Sequence, residues 1–176
     1  MSIERHAAYD RSMPIHPAVA HYLEVNAVPH ETMDCDPDLA DTAQFCAAYD
    51  IPLDQSANAI LVASRKPPGL FAVCLVLATS RLDVNGTVRR RLGARKVSFA
   101  SAEQTIENTG MEIGGVTVFG LPGELPIWVD SNVLAPDWVI VGAGSRSAKI
   151  KINPEVLTSL PQFEIVVDLA MATPTD

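Results

Sequence analysis

The spacing of apolar residues changes along the chain, and each change marks a candidate element. The first dozen residues carry no periodicity and read as a loose arm over residues 1–14, ahead of a folded domain over 15–176. Pro17 suits the first turn of a helix, where its missing N–H is not needed, and Val19, Tyr22 and Leu23 share one face. Asp41 or Thr42 can cap a second helix that turns Phe45, Cys46 and Tyr49 inward and stops before Pro52. From Ala59 the texture becomes strand-like. Ala59–Ala63 and Leu70–Leu77 are apolar runs flanking Lys66-Pro67-Pro68-Gly69, the pattern of a hairpin with a longish loop. A helix over about Val84–Leu92 would end at Gly93, and Ser101 with Gln104 makes a capping box for a short helix stopping at Gly110. Strands are then expected at Val116–Phe119, Ile127–Val129, Trp138–Val141 and Ala148–Ile152. Asn153-Pro154 opens a short helix, and Phe163–Leu169 reads as a last strand. This order predicts a single α+β domain with a central mixed, mostly antiparallel sheet and helices packed around it.

Composition narrows the class. At 176 residues and 48% hydrophobic, the chain can bury a sizeable core and is not a disordered segment. Its three cysteines, Cys35, Cys46 and Cys74, have no CxxC spacing, which excludes a disulfide scaffold and fits a reducing compartment. The longest apolar run, Leu70–Ala78, falls well short of the roughly 20 residues of a membrane helix. Glu4, Arg5, Asp10 and Arg11 interrupt the region where a signal peptide would be apolar, so a cytoplasmic location without membrane contact is expected.

The net charge of -8 resides entirely in residues 1–55, and the remainder balances to zero. Within that remainder Arg81, Arg89, Arg90, Arg91, Arg95 and Lys96 fall in sixteen residues that contain Asp83 as their one acid. A pI near 4.9 speaks against DNA binding and against indiscriminate nucleic-acid binding. The basic run suits either a solvated helix face or an RNA-binding face formed by Arg89, Arg90, Arg91 and Lys96.

Candidate chemistry is sparse. His6, His16, His21 and His30 lack the spacing that brings two imidazoles to one metal, so neither a metal nor a cofactor is expected. No G-x-S-x-G nucleophile elbow occurs. Gly142-Ala143-Gly144-Ser145-Arg146-Ser147 lacks the third glycine of a dinucleotide fingerprint. It is either an anion-holding nest of N–H groups beside an Arg or an ordinary sheet turn. Gly114-Gly115-Val116-Thr117 likewise serves either a bend or a closely approaching ligand. Neither turn supplies a base.

Several motifs in order carry a resemblance. They are Ala40-Asp41-Thr42-Ala43, Arg81-Leu82-Asp83, Leu92-Gly93-Ala94-Arg95-Lys96-Val97, Ser101-Ala102-Glu103 and Thr109-Gly110. Gly114-Gly115-Val116-Thr117, Phe119-Gly120-Leu121-Pro122, Pro126-Ile127-Trp128-Val129-Asp130, Val141 to Arg146 and Asn153-Pro154 continue the series. Over residues 15–170 the chain resembles the YbaK-like aminoacyl-tRNA deacylases, which include the editing domain of bacterial prolyl-tRNA synthetase. The resemblance implies a YbaK-like fold and hydrolysis of the ester on a mischarged tRNA, which would be its partner, with a cognate synthetase as a second. Such editing serves where one methylene, worth about 1–3 kcal/mol, is too little for a synthetic pocket to discriminate.

In the relatives a lysine at the start of the first central strand and a Gly-x-x-x-Pro loop position the charged tRNA end, and the substrate's terminal ribose hydroxyl assists the water. Here the lysine falls at Asn58 and the loop proline at Val118. A neutral amide bonds about half as strongly as an ammonium, so the alternative is an impaired module that binds a charged tRNA end or small aminoacyl ligand without turnover. The site implied is Asn58 in the position of the catalytic lysine, with Gly114, Gly115, Val116, Thr117, Val118, Gly142, Gly144, Ser145 and Arg146 around the substrate. Asp130 is either a further lining residue or a cap.

Overall fold

A computed structural model describes residues 14–174; the expected N-terminal arm, Pro14 apart, and His6 lie outside them. In chain order the strands are β1 (Glu31–Asp34), β2 (Ala57–Lys66), β3 (Pro68–Leu77), β4 (Ser80–Leu82), β5 (Lys96–Phe99), β6 (Ile127–Asp130), β7 (Val139–Gly142), β8 (Ala148–Ile152), β9 (Phe163–Val166) and β10 (Ala170–Ala172). The α-helices are α1 (Pro17–Val25), α2 (Thr42–Tyr49), α3 (Arg89–Leu92) and α4 (Ala102–Thr109).

Five strands form the central sheet in the order β5-β2-β3-β6-β9. Its β5–β2 and β2–β3 ladders are antiparallel, whereas β3–β6 and β6–β9 are parallel. A second sheet, β1-β8-β7, and the β10-β4 pair are antiparallel throughout. The protein is therefore a single α+β domain built on a mixed sheet.

Alternation along the central strands divides the core. Leu61, Val73 and Ile127 stand opposite one another and join α1, β7 and β8 in the main cluster. Their neighbours Val62, Cys74 and Trp128 face the other way, against Val88 and Leu169. A third cluster, with Phe45, Cys46 and Ile140, lies where α2 covers the second sheet. Each cluster removes several fully buried side chains from water, worth about 1.5–3 kcal/mol apiece before the entropy of ordering them.

Local signals behave as read at most element ends. Pro17 opens α1, and Ser101 and Gln104 close a reciprocal capping box at the start of α4. The helical segment Val84–Leu92 divides into a π-helical turn and α3, and ends at Gly93 in the left-handed region.

Four expectations change. The β2–β3 hairpin has no long loop, because β2 runs to Lys66 and β3 restarts at Pro68, with a bulge between Ala63 and Arg65 absorbing the mismatch. Val116–Phe119 is not a strand; this stretch packs against the turn after β7, where the Gly144 N–H donates to the Gly115 carbonyl at 2.7 Å. The last strand ends at Val166, since Asp168 takes a left-handed φ of 58° and the chain turns to pair β10 with β4. Strand β1 was not expected, because Glu-Thr-Met-Asp has no apolar alternation; it forms by edge pairing with β8.

Candidate active site

Strand β2 is longer than either neighbour on its outer edge. Strand β5 pairs with Val62–Lys66, and the Ala100 N–H donates to the Leu61 carbonyl at 2.9 Å. At the other end Ser56 forms a parallel bridge to Ile140 of β7. Between these attachments β5 and β7 diverge. The gap is a cavity of about 340 Å³, floored by β2 and walled by the α2 N-terminus, the start of α4, the 113–116 loop, β7 and Lys149.

Asn58 sits on this floor because the strand start carries it there, and its Oδ1 accepts the hydroxyl hydrogen of Thr42 from the first turn of α2. With Oδ1 so occupied, the amide NH₂ is the group left to donate. Gly114, Val116 and Gly142 also line the cavity. Gly115 and Gly142 are where two backbones touch: a Cβ on Gly115 would lie 2.4 Å from the Ser145 carbonyl oxygen, and one on Gly142 the same distance from that of Val116. Only glycine lets the 113–116 loop close onto β7 at this spacing.

Other expected residues lie elsewhere. Thr117 and Val118 are buried behind the loop, outside the lining. Asp130 is buried at the end of β6, where its carboxylate accepts the N–H groups of Asn132 and Ala170, both at 3.0 Å; it is a cap and not a lining residue. The Gly142–Ser147 turn is not an open nest. Its Gly144 N–H is taken by Gly115, its Arg146 N–H by Glu112 and its Ser147 N–H by the Ser145 hydroxyl, itself bonded to the Pro14 carbonyl. The Arg146 guanidinium donates to the carbonyls of Pro37 and Ile113 and to Asp41, so it ties the loop to the approach to α2.

The basic run is also partly engaged. Arg91 pairs with Glu164 and lies 5.0 Å from the centroid of the Trp128 ring, while Arg89 and Arg90 bond within their own helical turn. None of these three lines the cavity, and Lys96 stands three residues before Phe99 on β5, roughly 10 Å along the strand from the mouth. Arg89, Arg90 and Lys96 remain exposed.

The residue that sequence reasoning missed is Lys149. Strand alternation turns it away from Ala148 and Ile150, which enter the main core, toward what would be solvent. Helix α2 covers that side, leaving Lys149 7% exposed with its ammonium donating to the Ala40 carbonyl at 2.9 Å and reaching the Gly114 carbonyl at 3.5 Å. Burial holds its pKa below the ordinary lysine value. A lysine in an otherwise apolar strand was the available signal, but Lys151, two residues on, carries the same signal and lies half-exposed beside Glu31. Among the described residues no three His, Cys, Asp or Glu side chains gather to hold a metal, and no helix is long and apolar enough to cross a membrane.

The cavity lining runs from Ala40 to Lys149, and the sequence model of the aminoacyl-tRNA editing domain matches residues 36–160. The chain belongs to that family. In sequence it is 27% identical over 97 residues to YwhH, an uncharacterized protein of Bacillus subtilis strain 168, a match covering 55% of this chain and 62% of that protein. In fold it is similar to the hypothetical protein APE2540, with a TM-score of 0.77, 19% identity and coverage of 88% of this chain and 99% of the other. A candidate trans-editing enzyme for prolyl-tRNA synthetase superposes with a TM-score of 0.73 at 21% identity, over 86% and 96% of the two chains.

Proposed function

We propose that the protein is a trans-acting editing deacylase, which hydrolyses the ester between a wrong amino acid and the 3′ end of a tRNA. The cavity where β5 and β7 diverge carries this reading, because its walls fall within the segment matched by the editing family. It joins an apolar floor of Ala57, Ala59 and Leu61 to a few polar donors, the composition that suits an aminoacyl group.

Among the described residues Asp41 is the one carboxylate of the lining, engaged by Arg146 at 3.3 Å, and no His or Cys lines it. With no free protein base at hand, the water is activated by the ribose hydroxyl adjacent to the ester, as the resemblance implies. The Asn58 amide, aimed by Thr42, orients the terminal nucleotide, and the backbone around Gly114 and Gly142 closes on the acyl part. Exposed Arg89, Arg90 and Lys96 offer phosphate contacts to the rest of the tRNA, and a cognate synthetase supplies the charged product in the cytoplasm.

Position 58 favours a second reading, a module that binds a charged tRNA end or small aminoacyl ligand without turnover, since a neutral amide replaces the lysine of the relatives. A panel of mischarged tRNAs separates the two. Release of one amino acid at a rate well above spontaneous hydrolysis is expected for the deacylase. Retention of charged tRNA with no release would establish the binding module.

A further inference from the structure

Lys149 has an unusual set of neighbours for a buried cation. Its ammonium meets two neutral carbonyls, on Ala40 and Gly114, and the ring of Phe45 at 5.4 Å. Among the described residues no carboxylate lies within ion-pair distance of it; Asp41, Arg146, Cys35 and Cys46 are the ionisable groups that face it, and Asp41, the acid of the cavity wall, is held by Arg146. Buried charges are ordinarily paired, so an ammonium facing a cavity with only neutral hydrogen-bond partners is short of one electron-rich neighbour. An ammonium has three N–H groups, and the two carbonyls leave one for the cavity.

We propose that Lys149 is a catalytic residue that donates this N–H to the carbonyl oxygen of the aminoacyl ester and stabilises the oxyanion formed there. The assignment rests on the deacylase reading above. Water adds to the ester carbon, and the carbonyl π pair moves onto the oxygen beside the ammonium. Collapse returns that pair to carbon and breaks the bond to the ribose 3′ oxygen, which leaves with the proton the water has lost. Lys149 stays protonated throughout, acting as an electrophile rather than a base. Asn58 lies on the floor of the same cavity, so the cation enters from β8 rather than from β2.

Lys149→Met keeps length and removes charge. On a mischarged tRNA that the parent cleaves, kcat is expected to fall roughly a hundredfold or more with KM changed little, as when an oxyanion donor is lost. The melting temperature is expected to stay or rise, because an unneutralised ammonium has left the interior. The parent's kcat is expected to decline as pH rises through the lowered pKa of Lys149, and the Met variant to lose that alkaline limb. A rise in KM alone would place the ammonium on an RNA phosphate and overturn the assignment, as would loss of the fold in the variant with its alkaline limb intact in the surviving activity.

A second measurement needs no turnover. The parent is titrated with 3′-aminoacylamino-3′-deoxyadenosine, the amide analogue of the charged terminus, while the Nζ resonance of Lys149 is followed by NMR. Binding is expected to shift that resonance and raise the lysine's pKa; bound analogue with neither change overturns the proposal. A parent that cleaves no mischarged tRNA but still shows the shift would remove the deacylase reading and leave Lys149 as the ligand's hydrogen-bond donor.

Discussion

Asn58 and Lys149 share one small cavity, and this changes what a substitution at position 58 does. Introducing the lysine of the relatives, Asn58→Lys, would put a second ammonium where one is already buried with no ion-pair partner among the described residues, and would break the bond from Thr42. Like charges in a poorly solvated site repel, so the variant is expected to lose about 1–2 kcal/mol and to gain no deacylase activity. Thermal melts and the same hydrolysis assay check both halves. A tenfold gain in rate at unchanged melting temperature would show that the cavity lacks a working cation. Thr42→Val gives the complementary test, freeing the Asn58 amide to rotate; activity should fall several-fold with little change in stability, read as kcat/KM beside Tm.

At the scale of elements, Asp83 organises the helical segment Val84–Leu92. Its carboxylate accepts the N–H groups of Gly86 at 3.1 Å and Thr87 at 2.9 Å, together with the Thr87 hydroxyl. The Thr87 backbone bond, more than any other interaction, holds the Asp83 carboxyl below its usual range. A depressed folded-state pKa means that this stabilisation is complete above the unfolded value, near 3.9, and disappears as pH falls through the folded one. Asp83→Ala is therefore expected to cost about 1 kcal/mol at neutral pH and to differ less from the parent in strong acid, by denaturant titration at both pH values. The Ser101–Gln104 capping box was legible because its donors and acceptors lie three residues apart. The β2–β3 hairpin was legible for its two strands but not for its loop, since a bulge at Ala63/Arg65 has no local marker.

For the whole molecule, the packing of the 113–116 loop onto β7 joins segments far apart in the chain. Gly142→Ala would drive a methyl into the Val116 carbonyl, 2.4 Å from the added carbon, and neither backbone can yield without moving a cavity wall. A loss of about 1–3 kcal/mol and of most activity is expected, by thermal melts and hydrolysis. Cys35, Cys46 and Cys74 are all buried, and burial pushes the Cys74 thiol up to about 12. A thiol probe at neutral pH should therefore find no fast-reacting cysteine until the protein is unfolded, when three should react. Reversing Arg89 and Arg90 to Glu should flatten the salt dependence of tRNA binding and spare the fold, because both side chains are exposed.

Apolar spacing, caps and turn residues determined most of the elements and the α+β class, and a series of short motifs carried the resemblance to the family, because each of these is written in neighbouring positions. The same short range explains the misreadings: Val116–Phe119 has the composition of a strand, yet it forms no ladder and packs as a loop against Gly142 and the turn after β7. The cavity had no local signature at all. It exists because β5 and β7 leave the same edge of β2 at different points, a consequence of pairing between residues far apart in the chain. Lys149 shows this most directly. Alternation along β8 assigns it to water, and only the packing of α2 over that face turns a surface lysine into a buried ammonium at the cavity wall.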